Sequence, residues 1–152
     1  MARKLMATNK KYILLISLIL VGIILYFVHD MNLFYTYINS PKQEYIHSIV
    51  VRNYREDKRD IANQCETEKV LDLLKRCKYD GKVYNPNPGL IDPQYVKFYI
   101  DSKDYDVFPH IAVVLYQDKG SISGFCEIEH EYFKITNCSE LYSYAFKITD
   151  DK

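Results

Sequence analysis

An uncharged, strongly apolar run near the N-terminus constrains this chain more than any other feature. The run comprises the 17 residues from Tyr12 to Val28, and Ser17 and Gly22 are its only interruptions. At about 1.5 Å per residue, a helix of this length extends roughly 25 Å, at the short end for a bilayer core of about 30 Å. The run is not amphipathic, which argues against a helix that packs on a globular core. The sequence therefore predicts a transmembrane helix over residues 12–28, in contact with the lipid bilayer.

Basic residues before the run predict how this helix is oriented. These residues are Arg3, Lys4, Lys10 and Lys11. Because basic flanks remain in the cytoplasm, we predict a single-pass protein of the plasma membrane with residues 1–11 inside. Residues 29–44 are then predicted as a juxtamembrane stalk, and residues 45–152 as one globular domain outside the cytoplasm. A cleaved signal peptide is the alternative, but no small-residue cleavage pattern follows the run.

Apolar and polar patterns in the exported part predict an α+β fold. Alternating residues and short turns indicate about five antiparallel strands in a meander, at residues 45–53, 94–101, 111–117, 121–128 and 131–136. A capping-box pattern at Asn63 and Glu66, followed by an apolar stripe, predicts one long helix over residues 64–77. A second, short helix is predicted after Ser139. Helices on one face of an antiparallel sheet give a small two-layer domain.

Two polar segments are predicted as loops. Residues 54–61 are dense in charge and are interpreted as a solvated turn. Residues 79–93 contain three prolines and two glycines, which excludes regular structure throughout the segment. A loop of this length in a compact domain is often functional. We therefore predict a candidate binding loop whose contact residues are Tyr79, Tyr84, Leu90 and Ile91.

Four cysteines lie on the predicted exported side, where an even number indicates disulfides. Successive cysteines are 12, 49 and 12 residues apart, which lacks the close pairs of a zinc site, so no metal site is predicted. If residues 64–77 form one helix, Cys65 and Cys77 lie roughly 18 Å apart and cannot pair. Cys77 and Cys126 fall on the apolar faces of their elements. We therefore predict the disulfides Cys77–Cys126 in the core and Cys65–Cys138 at the rim.

Charge and motif content narrow the possible functions. Residues 31–152 contain 16 basic and 19 acidic side chains, so the domain has no electrostatic reason to bind nucleic acid. No serine-hydrolase, zinc-protease or phosphate-loop motif is present, and no cofactor is predicted. We expect a non-enzymatic binding or interaction module that meets a protein partner at the cell surface. Two alternatives remain: a cell-envelope enzyme, and an accessory subunit that assembles through its transmembrane helix.

Overall fold

The computed structural model describes residues 2–39, 43–55, 58–62, 65–84, 86, 94–104 and 110–150. This part of the chain contains three helices and seven strands. The helices are α1 (Ala2–Asn39), α2 (Thr67–Lys75) and α3 (Ser139–Asp150), and a 3-10 turn at Gln43–Tyr45 follows α1. The strands are β1 (Ile46–Arg55), β2 (Lys58–Ala62), β3 (Lys78–Val83), β4 (Tyr95–Ser102), β5 (Ile111–Asp118), β6 (Ser121–Ile128) and β7 (Glu131–Thr136). The predicted α+β fold is confirmed.

The seven described strands pair antiparallel in one sheet, in the order β2-β1-β4-β5-β6-β7-β3. The predicted meander is confirmed for β4 to β7, which neighbour each other in chain order. The prediction of about five strands missed both edges of the sheet. β2 lies in the segment predicted as a charged turn, and β3 overlaps the segment predicted as a binding loop. Both are polar edge strands, and charged residues are common on edges because they prevent pairing with other chains.

Helices cover one face of the sheet and form the core with it. Along β4, Val96, Phe98 and Ile100 point to this face and are fully buried. Leu141 and Ala145 of α3 are buried against the same layer. α2 contributes an apolar stripe of four buried residues, which are Val70, Leu71, Leu73 and Leu74. The predicted two-layer arrangement is confirmed.

The two parts of α1 have different surroundings. Residues 11–29 are exposed along their whole length, and α1 is the one helix in the described part of the chain that is long and apolar enough to cross a membrane. The helix then continues to Asn39 and buries Phe34 and Ile38 in the core. These two residues are one helical turn apart and therefore share the face that meets the sheet. Residues 29–39, predicted as part of a stalk, are thus helical, and their apolar face belongs to the core of the domain.

The predicted long helix is shorter than expected. α2 begins at Thr67, with Glu66 as its N-cap in an extended conformation. The backbone N–H of Glu66 donates a hydrogen bond of 3.2 Å to the hydroxyl of Tyr144, which ties this residue to α3. α2 therefore has nine residues and α3 has 12, so the later helix is the longer of the two. Cys65 lies before the helix, and Asn63 lies outside the described residues.

Candidate functional site: a tyrosine-lined groove

The sheet face opposite the helices carries a concentration of aromatic side chains. Because side chains alternate along a strand, Tyr95, Lys97 and Tyr99 of β4 point away from the helices, and they are half-buried. Strand pairing places Tyr54 of β1 opposite Tyr95. Phe125 of β6 lies on the same face, two strands away from β4. Aromatic residues therefore stand on both sides of the central strand β5.

These side chains enclose a cavity of about 250 Å³. Val114 of β5, which is 2% exposed, lies at its base between the two walls. We call this site the tyrosine groove. It is lined by Tyr54, Pro86, Tyr95, Lys97, Tyr99, Val114, Phe125, Glu127 and Tyr132. Polar atoms make up more of its accessible lining than apolar atoms do, so the groove suits a polar ligand better than an apolar one.

Aromatic rings form both walls in defined orientations. The rings of Tyr54 and Tyr95 stack, with centroids 4.4 Å apart and an interplanar angle of 12°. On the other wall, Phe125 and Tyr132 meet edge to face, with centroids 5.9 Å apart and an angle of 77°. Such a pair contributes about 0.5–1.5 kcal/mol beyond the burial of its surface. The rings are therefore held in place before any ligand binds.

Two cations flank Tyr99 on the β1–β4 side of the groove. The Nζ of Lys97 lies 4.6 Å from the ring centroid, and the guanidinium carbon of Arg52 lies 5.1 Å from it. Both distances are within the range of cation–π attraction. The Nε of Arg52 is buried and has no hydrogen-bond partner among the described residues. Because this atom is buried and Arg52 is not among the residues that line the groove, Arg52 adds positive charge to this side but no hydrogen-bond donor at the groove surface.

Tyr99 stays protonated at neutral pH. Its pKa is raised to about 12, chiefly by burial and also by the hydrogen bond and charge of Tyr54, whereas Arg52 lowers it. The protonated hydroxyl keeps its capacity to donate a hydrogen bond. The positive charge on this wall therefore comes from Lys97 and Arg52 and is not cancelled by a tyrosinate.

A carboxylate lies on the β6–β7 side. Glu127 accepts a hydrogen bond of 3.3 Å from the hydroxyl of Tyr132. Burial is the main cause that raises the pKa of Tyr132, and the charge of Glu127 adds to it. Because two strand spacings separate β4 from β6, the two walls stand roughly 10 Å apart. The groove is thus positive on one wall and negative on the other.

The residues predicted as a binding loop do not line the groove. Tyr79 lies in β3 and is half-buried against α1, where its ring centroid is 5.4 Å from that of Phe27. Tyr79 is thus a strand residue and not part of a loop. Tyr84 follows β3 and is 84% exposed. Leu90 and Ile91 lie outside the described residues.

Three of the four cysteines lie in the core. Cys77, Cys126 and Cys138 are each at most 2% exposed, whereas Cys65 is half-buried. The thiol of Cys138 donates a hydrogen bond of 3.2 Å to the carbonyl oxygen of Thr136, and its interaction with the neighbouring thiol of Cys77, together with burial, raises the pKa of Cys138. Burial is also the main cause that raises the pKa of Cys126, with Cys77 adding to it. All four are free thiols in the structure, so the predicted disulfides are not formed in it, and their pairing stays a prediction. Cys138 is buried, and it follows β7, the strand next to the edge strand β3.

A serine, an aspartate and a histidine meet near the C-terminal end of β4 and bear on the enzyme alternative. Asp101 accepts a hydrogen bond of 3.3 Å from Ser48 and lies 3.2 Å from the Nδ1 of His110. In a serine hydrolase the histidine lies between the serine and the carboxylate, whereas here the carboxylate lies between the other two. This order provides no path for the serine proton to reach the histidine. Within the described ranges, no group of three His, Cys, Asp or Glu side chains could hold a metal ion.

No family model, curated protein or solved structure matches this chain.

Proposed function

We propose that this protein is a membrane-anchored binding module of the cell surface that takes its ligand in the tyrosine groove. The observation that carries the proposal is the make-up of the groove: oriented aromatic walls, an apolar floor, and opposite charges on facing walls. Rigid tyrosines suit recognition because they give a large amphipathic contact area at low entropic cost. Binding at preformed walls needs little reorganisation of the protein, which leaves more of the contact energy for affinity.

The groove favours a polar ligand, or a protruding part of a larger one, with a flat apolar face and one anionic group. The flat face would lie against the ring wall formed by Tyr54 and Tyr95. The anionic group would be placed beside the ammonium group of Lys97, which lines the groove. Glu127 on the facing wall would accept a donor from the ligand and repel a second anionic group. A cavity of about 250 Å³ admits a group about the size of one ring.

The proposal places α1 across the plasma membrane, with the domain outside the cytoplasm. Support comes from the exposed apolar surface of residues 11–29 and from the basic residues that precede it. Because α1 continues into the core, the domain would be carried directly at the membrane surface and not on a flexible stalk.

Protease added to intact cells should degrade a tag fused to the C-terminus and spare a tag fused to the N-terminus. The reason is that basic flanks keep the N-terminus inside. Immunoblots of the membrane fraction for both tags measure the outcome, and detergent lysis, which should expose both tags, is the control. A C-terminal tag that survives on intact cells would contradict the orientation. A shortened, soluble product would favour a cleaved signal peptide.

Replacing Tyr95 with alanine should weaken ligand binding about tenfold or more, because loss of an aromatic anchor of this kind costs about 1.4–2 kcal/mol or more. The full chain in mild detergent is screened by thermal shift against oligosaccharides and short peptides that each carry one carboxylate, phosphate or sulfate. Dissociation constants of the hits are then measured by calorimetry. Lys97→Ala should weaken the anionic hits and have little effect on their neutral analogues.

Tyr84→Ala is the matched control, because it removes the same atoms from an exposed tyrosine outside the groove. Binding that is lost in Tyr95→Ala and retained in Tyr84→Ala supports the groove. The reverse pattern would move the binding site to the segment after β3, where the sequence predicted it. Binding that survives both substitutions would overturn the groove as the site.

A further inference from the structure

β3 meets the outer end of the apolar run of α1. The ring of Tyr79 in β3 lies 5.4 Å from the ring of Phe27, measured between centroids. Tyr84, the residue after β3, is close enough to Tyr26 for the two side chains to interact electrostatically. Tyr26 and Phe27 are among the last residues before Val28, where the predicted membrane span ends. The domain therefore touches α1 at the level of the membrane interface.

Polar contacts fix this meeting point. Lys82 of β3 donates a hydrogen bond of 2.7 Å to Glu131, which is the main cause that raises the pKa of Lys82. Asp30 and Tyr26 raise the same pKa further, so both lie near the ammonium group. Asp30 is only 4% exposed, and its side chain interacts electrostatically with Tyr26, one helical turn earlier. A buried carboxylate needs such partners, so separating β3 from α1 would leave Asp30 with fewer of them.

The continuity of α1 sets the height of Tyr84 relative to the bilayer. The helix runs without interruption from the apolar run to the buried Phe34, so the domain cannot tilt away without losing core contacts. A side chain beside Tyr26 then lies at the depth of the interfacial aromatic belt. Tyr84, the residue after the edge strand β3, is 84% exposed at this depth.

We infer that the β3 end of the domain rests in the headgroup layer of the bilayer that α1 spans, with Tyr84 as its contact residue and phospholipid as its partner. The inference rests on the proposed function, because it requires α1 to cross the membrane. Tyrosine suits this place, since its ring enters the acyl boundary while its hydroxyl bonds to headgroups or water. This contact gives the sheet a second attachment to the membrane besides α1 and so fixes the orientation of the domain.

Single tryptophans test the inference, because the chain contains none. Three full-length variants are compared, Leu18→Trp, Tyr84→Trp and Asn39→Trp, each at an exposed position that admits the larger ring. Along the helix, Leu18 lies roughly 12 Å deeper than Tyr26, and Asn39 lies roughly 20 Å farther out. The variants are reconstituted in phosphatidylcholine vesicles whose acyl chains carry bromine, a contact quencher, either near the headgroups or near the bilayer centre.

The expected result is graded by depth. The emission of tryptophan at position 84 should shift to shorter wavelength and lose most intensity when bromine lies near the headgroups. The emission of tryptophan at position 18 should lose most intensity when bromine lies at the bilayer centre. The emission of tryptophan at position 39 should be unaffected. Quenching at position 18 with none at position 84 would overturn the inference but still support α1 as the membrane anchor. The same pattern is expected if a protein, and not phospholipid, covers this surface. Absence of quenching at position 18 would instead contradict the proposed membrane anchor.

Discussion

Replacing Phe34 with alanine is expected to lower the free energy of unfolding of the domain by about 3–5 kcal/mol. Phe34 belongs to α1, is 0% exposed, and has its ring centroid 5.8 Å from that of Phe133 and 5.6 Å from that of Tyr79. Truncation removes this apolar surface and leaves a cavity between the helix and the sheet. Urea unfolding of the full chain in mild detergent, followed by near-ultraviolet circular dichroism of the tyrosines, measures the loss.

Leu18→Ala is the matched control, because it also truncates an apolar residue of α1 but at a position that is 61% exposed. It should change the unfolding free energy of the domain by no more than about 0.5 kcal/mol. An effect of Phe34→Ala as small as that of Leu18→Ala would show that the end of α1 contributes little to the core. The interpretation of residues 29–44 as a stalk would then be preferable.

The sequence predicted best those elements whose local pattern is unambiguous. β5, β6 and β7 are joined by two-residue turns at Lys119–Gly120 and Glu129–His130. All four turn residues have positive φ, as the tight hairpin turns that match strand twist require. Because these turns and the flanking alternation are both local, the meander could be predicted without knowledge of its neighbours.

Elements that depend on tertiary partners were missed. The prolines and glycines of residues 79–93 made the whole segment look irregular, yet its first residues pair with β7. Gly81, with a φ of 110°, lies at the irregularity between Tyr79 and Lys82, so the glycine marks a bulge within a strand. The helical end of α1 was likewise hidden, because its apolar stripe is stabilised by a sheet that lies far along the chain.

The tyrosine groove was only partly predictable, for a similar reason. The spacing of two residues between Tyr95, Lys97 and Tyr99 is visible in the sequence and places them on one face of a strand. Tyr54 and Phe125 join them only through the register of β1 with β4 and of β5 with β6. A slip of one residue in either pairing would turn these rings towards the helices. The two-residue turn fixes the register of β5 with β6, whereas no local turn sets the register of β1 with β4, because these strands lie far apart in the chain.

Replacing Gly124 with alanine is expected to destabilise the domain by about 3 kcal/mol or more, at the upper end of the range for overpacked sites. Gly124 lies in β6 opposite Leu115 of β5. A Cβ at this position would collide with the main-chain carbonyl oxygen of Val114 and lie 2.7 Å from the Cδ2 of Leu115. The main chain of β5 cannot move without breaking its pairing with β6, and the fully buried Leu115 has no space to turn into. Thermal and urea unfolding measure the effect.

Ser123→Ala is the control, because Ser123 is the preceding residue of β6 and its half-buried side chain points to the opposite face. It should alter the free energy of unfolding by no more than about 0.5 kcal/mol. An ordinary Gly-to-Ala change at a compatible site stabilises a protein by about 0.4–1 kcal/mol, so the sign of the Gly124→Ala effect is informative. Stabilisation would mean that β5 and β6 pair in another register. Phe125 and Glu127 would then not stand on the wall of the tyrosine groove, because a shift of one residue moves every side chain of a strand to the other face.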